Sequence, residues 1–104
     1  MRNYLLEKLS ALQPLGGHRI RLTFRDGFTA EIDLAPLLDR GPLYEPLRDH
    51  FNSVHLEDGV PVWLDDYDFS PAALRAWCEA GRVLSIEETD EWVTRNSKPA
   101  ARLA

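Results

Sequence analysis

Residues 19–34 read RIRLTFRDGFTAEIDL, and this stretch decides the fold. Every even-numbered position on both sides of its Asp-Gly pair carries an apolar side chain, namely Ile20, Leu22, Phe24, Phe28, Ala30, Ile32 and Leu34. Apolar side chains that alternate with a period of two around an Asp-Gly turn are typical of a β-hairpin with one buried face. The stretch therefore predicts two paired strands, but it does not indicate a reaction.

The register of this hairpin follows from the same alternation. A two-residue loop would place Phe24 opposite the polar Thr29, whereas a three-residue loop over 25–27 places it opposite Phe28. We therefore predict the three-residue loop, with Gly27 in the left-handed conformation. This register also sets two pairs of opposite charge against each other on the outer face, Arg21 with Glu31 and Arg19 with Asp33.

A second Asp-Gly pair, at 58–59, has similar surroundings. Apolar side chains again occupy the even positions, and they predict a shorter hairpin in which Leu56 pairs with Val60 and Val54 with Val62. Pro61 has no amide hydrogen to donate, so we expect its strand to lie at a sheet edge or to pair with that nitrogen facing outward.

These patterns predict an α+β fold built from antiparallel hairpins or a meander. The strands are expected near residues 6–14, 18–25, 28–34, 53–57 and 60–63. The leucine spacing of the first segment also suits a helix. We favour a strand, because a two-stranded hairpin alone is rarely stable and a third strand would support it.

A helix is predicted over residues 71–80. Ser70 is a favourable N-cap, Pro71 suits the first helical position, and Gly81 suits the residue that ends the helix. The expected buried face consists of Ala73, Leu74, Trp77 and Cys78. Short helical turns are expected between residues 35 and 49, with Leu43, Leu47 and Phe51 pointing inward.

The segment after Gly81 has weaker signals. We predict a strand over Val83–Glu87 and a short helix that begins at Thr89, with acidic side chains in its first turn. We expect one α+β domain over residues 1–95 and a loose C-terminal tail over 96–104.

Composition restricts the class of protein. The chain has 104 residues, 44% of them hydrophobic, and a net charge of −5, which is typical of a small globular domain. An acidic chain is poorly suited to non-specific nucleic-acid binding. No apolar run approaches the ~20 residues of a membrane-spanning helix. With one cysteine, Cys78, no intrachain disulfide is possible, and we expect a cytoplasmic location.

The most suggestive polar cluster is the acidic segment Asp65, Asp66 and Asp68 beside Trp63. Closely spaced carboxylates are the ligands that Mg²⁺ and Ca²⁺ prefer, so these three are the candidate metal ligands. The segment lacks the glycine and distal glutamate of an EF-hand. It also suits an acidic loop before a helix N-terminus, where Asp68 would interact favourably with the helix dipole.

Nothing else in the sequence forms a catalytic pattern, so we assign no catalytic residue and no cofactor. Cys78 lies on the predicted buried stripe, and the three histidines lack the spacing of a helical zinc site. Trp92 and Val93 lie on a weakly specified segment and, with Trp63, are the candidate interface residues. Trp92 is expected to pack either on a partner or a second copy, or on the protein's own core.

The order of features from Leu22 to Leu74 resembles a bacterial family called domain of unknown function 2442. The matching residues are Leu22-x-Phe24-x-Asp26-Gly27, Asp33-Leu34, Gly41, Leu47, Phe51, Val54, Trp63 and Asp68-x-x-Pro71-x-x-Leu74. The family usually has Pro and Gly where this chain has Leu64 and Asp66. The resemblance implies a small α+β domain with no established activity. It also implies an antitoxin-like partner role, because members tend to be encoded beside small toxin-like proteins.

Three functional hypotheses follow, in order of preference. The first is a protein-interaction module, as a homo-oligomer or as the antitoxin-like partner of a small protein. The second is a metal-dependent hydrolase that uses Asp65, Asp66 and Asp68. The third is a nucleic-acid-binding regulator that uses Arg19, Arg21 and Arg25.

Overall fold

A computed structural model describes residues 8–64 and 67–96 of the chain. Within these ranges the protein is α+β, with two three-stranded antiparallel sheets and three α-helices. The strands are β1 Leu9–Gly16, β2 Arg19–Phe24, β3 Thr29–Asp33, β4 His55–Glu57, β5 Val60–Trp63 and β6 Tyr67–Asp68. The α-helices are α1 Glu45–His50, α2 Pro71–Ala80 and α3 Ile86–Asn96, and 3₁₀ turns lie at Ala35–Arg40, Pro42–Tyr44 and Phe51–Ser53.

The first sheet has the order β1-β2-β3, and the register predicted for its hairpin is confirmed. Leu22 lies opposite Ala30, and the Phe24 amide donates to the carbonyl oxygen of Phe28 over 2.8 Å. Gly27 has a φ of 97° and ends the three-residue loop. The predicted first strand is also confirmed as a strand, displaced toward the C-terminus to Leu9–Gly16, while residues 6–7 lie outside the described ranges.

One predicted charge pair of this sheet is confirmed and the other is different. Arg21 forms an ion pair with Glu31 at 2.9 Å. Arg19 lies opposite Asp33 in the register, but its guanidinium also contacts Glu31 at 2.9 Å. The Asp33 carboxylate instead accepts from the Ala35 amide at 2.9 Å, because it begins the turn into the following 3₁₀ segment. Glu31 is thus held between two arginines.

The second sheet has the order β4-β5-β6, and the register predicted for its hairpin is wrong by one residue. The loop contains only Asp58 and Gly59, so Glu57 pairs with Val60 and His55 with Val62. Both loop residues have positive φ, 51° and 80°, as in the type I′ turn that matches strand twist.

Of the two alternatives expected for Pro61, the edge position is wrong, because β5 is the central strand of its sheet. Pro61 lies opposite Leu56 of β4, and its carbonyl oxygen accepts from the Phe69 amide at 3.1 Å. Phe69 directly follows the two-residue strand β6, so this bond lies at the end of the ladder. Because proline has no amide hydrogen, only one hydrogen bond of the ladder is not made there.

Gly59 joins the two sheets, and its replacement offers a test of this junction. Its carbonyl oxygen accepts from the Leu9 amide at 2.9 Å, and a β-carbon at this position would lie 2.6 Å from the Lys8 β-carbon. We expect Gly59→Ala to lower the free energy of unfolding by about 2–3 kcal/mol, from left-handed strain and the clash together. Gly27→Ala is the matched control, since it has positive φ but open space, and it should lose only about 1–2 kcal/mol. Equal losses in urea denaturation would contradict a contact at Gly59.

Helix α2 begins and ends as predicted. The Ser70 hydroxyl accepts from the Ala73 amide at 3.2 Å, and Gly81 ends the helix with a φ of 81°. Leu74, Trp77 and Cys78 are buried as expected, but Ala73 is only half-buried. The buried surface extends around the helix to Ala72, Arg75 and Ala76, because α2 packs against β3 on one side and α3 on another.

The prediction for residues after Gly81 is partly wrong. Val83–Glu87 is not a strand, and the helix begins before Thr89, at Ile86. Ser85 and Glu88 form a capping box, in which the Glu88 amide donates to the Ser85 hydroxyl at 3.0 Å and the Ser85 amide donates to Glu88 Oε1 at 3.1 Å. The Glu88 carboxylate has a lowered pKa, first because of the Ser85 amide and then because of Arg82.

The core lies between the inner faces of both sheets and α2. Leu47 and Phe51 are buried as predicted, whereas Leu43 is 69% exposed and does not point inward. Leu43 belongs to a single 3₁₀ turn that lies on the surface. Of the predicted tail, Asn96 ends α3 and residues 97–104 lie outside the described ranges. None of the described helices is both long and apolar enough to cross a membrane.

Candidate interaction groove

A groove of about 220 Å³ lies between the N-terminal half of α2, the start of α3 and the 3₁₀ segments. We call it the α2–α3 groove. It is lined by Arg40, Tyr44, Asp68, Phe69, Ser70, Ala73, Trp77, Ile86 and Thr89. These residues come from four separate stretches of the chain, so only the folded protein brings them together.

One wall of the groove is aromatic. The Phe69 ring packs edge-to-face against Tyr44 on one side and Trp77 on the other, with centroids 6.2 Å apart in each pair. Behind Phe69 lies the fully buried Trp63, at a centroid distance of 5.2 Å. Because each ring contacts the next, the wall is packed against the core and offers an apolar surface on one side of the groove.

The opposite wall is the first turn of α3. The Trp77 indole Nε1 donates to the Thr89 hydroxyl at 2.8 Å, and this hydroxyl donates to the Ser85 carbonyl oxygen at 2.7 Å. These two bonds fix α3 against α2. They leave Ile86 at the rim of the groove, where 66% of its surface is exposed.

The groove also contains two charged side chains. Arg40 donates to the Leu84 carbonyl oxygen at 2.6 Å, which holds the guanidinium beside the start of α3. Asp68 is exposed at the end of β6. Neither side chain forms an ion pair with another described residue, but the Arg40 guanidinium is held at Leu84, so Asp68 is the charged side chain more open to a ligand.

A sequence model of the family described as "protein of unknown function (DUF2442)" matches residues 9–80. The chain belongs to the DUF2442 family. The match extends from β1 to the end of α2, so the aromatic wall lies inside the matched region and the α3 wall lies beyond it. Neither the curated proteins nor the solved structures gave a significant match.

The acidic segment predicted as a metal site in this DUF2442 protein is only partly described. Asp65 and Asp66 lie outside the described residues, and Asp68 is exposed in β6. Among residues 8–64 and 67–96, no three His, Cys, Asp or Glu side chains are grouped as metal ligands would be. The metal hypothesis therefore stays a prediction.

The three candidate interface residues lie in different environments. Trp63 has an exposed fraction of 0%, and its indole Nε1 donates to the Phe51 carbonyl oxygen at 3.0 Å. It has no surface to offer a partner while the protein is folded. Trp92 and Val93 are half-buried on α3, and Trp92 packs against the core. An interface through Trp92 and Val93 remains a prediction.

The reactive side chains considered in the sequence have ordinary structural environments. Burial raises the pKa of the Cys78 thiol to about 11, which leaves it protonated and a weak nucleophile at neutral pH. His18 packs edge-on against Phe51, with centroids 5.3 Å apart. His55 Nε2 lies 2.7 Å from Glu57 Oε2 on an exposed strand.

Two buried polar groups were not anticipated from the sequence. Arg75 on α2 has a side chain that is only 7% exposed, and it contacts Asp26 at 3.0 Å and Glu79 at 2.5 Å. The Tyr67 hydroxyl is buried without a hydrogen-bond partner among the described residues. Burial, followed by the effect of Tyr44, raises the pKa of Tyr67 to about 12. The spacing of Arg75 and Glu79 could have indicated their ion pair, but nothing indicated Asp26.

Proposed function

We propose that this DUF2442 protein is a protein-interaction module whose α2–α3 groove receives an apolar side chain from a segment of a partner protein. The observation that carries the proposal is the position of Ile86, a large exposed aliphatic side chain at the rim of a concave aromatic surface. A concave apolar surface with an exposed apolar side chain at its rim is a candidate interaction site.

The size of the groove supports a side chain as its occupant. Sites for drug-sized molecules and cofactors have volumes of roughly 300–1,000 Å³. The α2–α3 groove, at about 220 Å³, is smaller. A single leucine-sized or aromatic side chain would contact Tyr44, Phe69 and Ile86 together, and such a buried side chain supplies much of the binding energy in small interfaces.

The carboxylates of the groove and of α3 support a basic partner. Asp68 lines the groove, and Glu87, Asp90 and Glu91 are exposed on α3, where they line a separate concavity. The positive charge of Arg40 is held at the Leu84 carbonyl oxygen. A segment with Lys or Arg beside its apolar side chain would therefore associate faster and in a defined orientation.

The structure offers less support to a nucleic-acid-binding function. Arg19 and Arg21 are both paired with Glu31 at 2.9 Å, and the Arg25 guanidinium lies 3.9 Å from the Asp58 carboxylate. Arginines that neutralise neighbouring carboxylates release fewer counterions from phosphates. This contrast favours the groove as the functional surface.

Filling the groove tests the proposal. Ala73 is half-buried and lines the groove, so Ala73→Leu should occupy the space without removing any contact. Ala80→Leu makes the same change at an exposed position of the same helix. Both variants and the wild type are immobilised, and proteins retained from native lysate are quantified by mass spectrometry. We expect a partner that Ala80→Leu retains and that Ala73→Leu loses by about tenfold or more.

The comparison between variants decides the outcome, rather than capture alone. A protein retained equally by wild type and Ala73→Leu does not use the groove, and finding only such proteins would contradict the proposal. Far-ultraviolet circular dichroism and thermal melts of both variants confirm that they are folded before capture is compared.

A further inference from the structure

The outer edge of β3 differs from the other sheet edges of the described chain. The β1 edge contains Pro14 and two register irregularities, and its first residue donates to the Gly59 carbonyl oxygen. In the second sheet the edge strands β4 and β6 have three and two residues. β3 has five residues in regular register, without proline or bulge. Proteins usually protect such an edge, because it can pair with another strand.

The hydrogen-bonding phase of β3 identifies the free backbone groups. The Phe24 amide of β2 donates to the Phe28 carbonyl oxygen, and the Leu34 amide donates to the carbonyl oxygen of His18, the residue before β2. Because bonded and non-bonded pairs alternate in an antiparallel ladder, Ala30 and Ile32 also bond to β2. The backbone groups of Thr29, Glu31 and Asp33 therefore point away from the sheet, and no strand of the described residues pairs with them.

We propose that two copies of this chain pair through their β3 edges, antiparallel and centred on Glu31, to form one continuous six-stranded sheet. A two-fold axis through the strand pair relates the copies, as in most homodimers. Thr29, Glu31 and Asp33 of each copy then supply about six interchain backbone hydrogen bonds. This inference concerns a surface separate from the α2–α3 groove and does not depend on it.

The charges on the outer face suit a second copy as the occupant. The two Glu31 side chains meet at the centre, but each is already held by Arg19 and Arg21 of its own chain. Each Asp33 lies opposite Thr29 of the other copy, so no second carboxylate faces it across the pair. The two Asp33 side chains lie about 13 Å apart, further than the screening length at physiological salt. Each copy contributes Arg19, Arg21, Glu31 and Asp33 to this face, so the positive and negative charges of the dimer face are equal in number.

The inner face of the paired strands is also complementary. Ile32 is buried and Ala30 is half-buried in the single chain. In the antiparallel pairing Ile32 lies opposite Ala30 of the other copy, so a large side chain faces a small one on both sides of the axis. A five-residue strand pair buries little area, and the dimer is therefore expected to depend on protein concentration.

Proline at the central position tests this pairing. Glu31→Pro removes an outward amide hydrogen and leaves every bond to β2 intact, which edge strands tolerate. Glu31→Ala is the matched control, because it loses the same ion pairs but keeps the amide hydrogen. In sedimentation experiments over a wide range of concentrations, we expect the wild type to approach the dimer mass, and Glu31→Ala to show the weakening that comes from the lost ion pairs alone. Glu31→Pro should associate about tenfold more weakly than Glu31→Ala, or not at all.

Amide hydrogen exchange provides a readout that does not require a variant. In the wild type we expect protection of Thr29, Glu31 and Asp33 to rise with protein concentration, while Ala30 and Ile32 are protected at all concentrations. A wild type that stays monomeric at the highest soluble concentration would overturn the proposal. So would a folded Glu31→Pro that dimerises as well as Glu31→Ala, or outward amides that exchange fast in a dimer.

Discussion

Replacing Trp63 with alanine is expected to lower the free energy of unfolding by about 3–5 kcal/mol. Trp63 is fully buried and lies behind the α2–α3 groove. Its ring contacts Phe51, Tyr67 and Phe69, with centroids 5.8, 6.5 and 5.2 Å away. Alanine would leave a large cavity between rings that cannot collapse together, and it would remove the donor to the Phe51 carbonyl oxygen. The total free energy of unfolding of a domain of this size is about 5–15 kcal/mol, so this loss is a large part of its stability.

The variant Trp63→Phe distinguishes the contribution of the hydrogen bond to stability from that of the side-chain volume. It keeps an aromatic ring in the core but leaves the Phe51 carbonyl oxygen without its donor, so we expect a loss of about 1–2 kcal/mol. Trp92→Ala, at a half-buried position, should cost less than Trp63→Ala. Urea denaturation followed by circular dichroism measures all three. A loss below about 1 kcal/mol for Trp63→Ala would show that this side chain is not central to the core.

Replacing Arg75 with alanine is expected to lower the free energy of unfolding by about 2–3 kcal/mol. The Arg75 guanidinium lies over the Phe28 ring at 4.3 Å and near the Phe24 ring at 5.0 Å, while it pairs with Asp26 and Glu79. The two carboxylates are 47% and 37% exposed, so water can solvate them once the arginine is gone. The loss is therefore smaller than for a fully buried pair.

The variant Arg75→Met shows how much of this lost free energy of unfolding comes from packing and how much from charge. Methionine keeps an apolar stem against the Phe28 ring, so we expect about 1 kcal/mol of loss if packing makes the larger contribution. A double-mutant cycle of Arg75→Met with Asp26→Asn then measures the ion pair directly. Equal stability of the wild type and Arg75→Ala would contradict a structural role for this cluster in holding the first hairpin loop on α2.

The two hairpins show where sequence patterns determine a register. The first has a long alternation on both sides of the loop, and moving it by one residue would place Phe24 opposite Thr29. Its register was therefore predictable. The second strand pair is three residues long, and β5 is buried at Pro61, Val62 and Trp63, so it has no single buried face from which alternation could choose between two registers. The preference of Asp58 and Gly59 for positive φ decided between them, and this depends on the turn rather than on burial.

The C-terminal helix was only half predicted, although a local signal was present. Ser85 and Glu88 have the spacing of a capping box, which marks the start of α3. The apolar residues Val83 and Leu84 suggested a strand instead. The groove that α3 completes was not predictable, because its walls come from segments far apart in the chain. For the same reason, the contact between Arg75 and Asp26, which are 49 residues apart, could not be predicted from the sequence.

The indole resonances of the three tryptophans test the groove most directly. A partner retained by the wild type is added to ¹⁵N-labelled protein, and the three indole N–H signals are followed by nuclear magnetic resonance. The Trp77 indole donates to Thr89 within the groove, so its signal is predicted to shift most and to stay unchanged in Ala73→Leu. A bound partner that leaves the Trp77 signal unmoved in the wild type would contradict the groove as the binding surface.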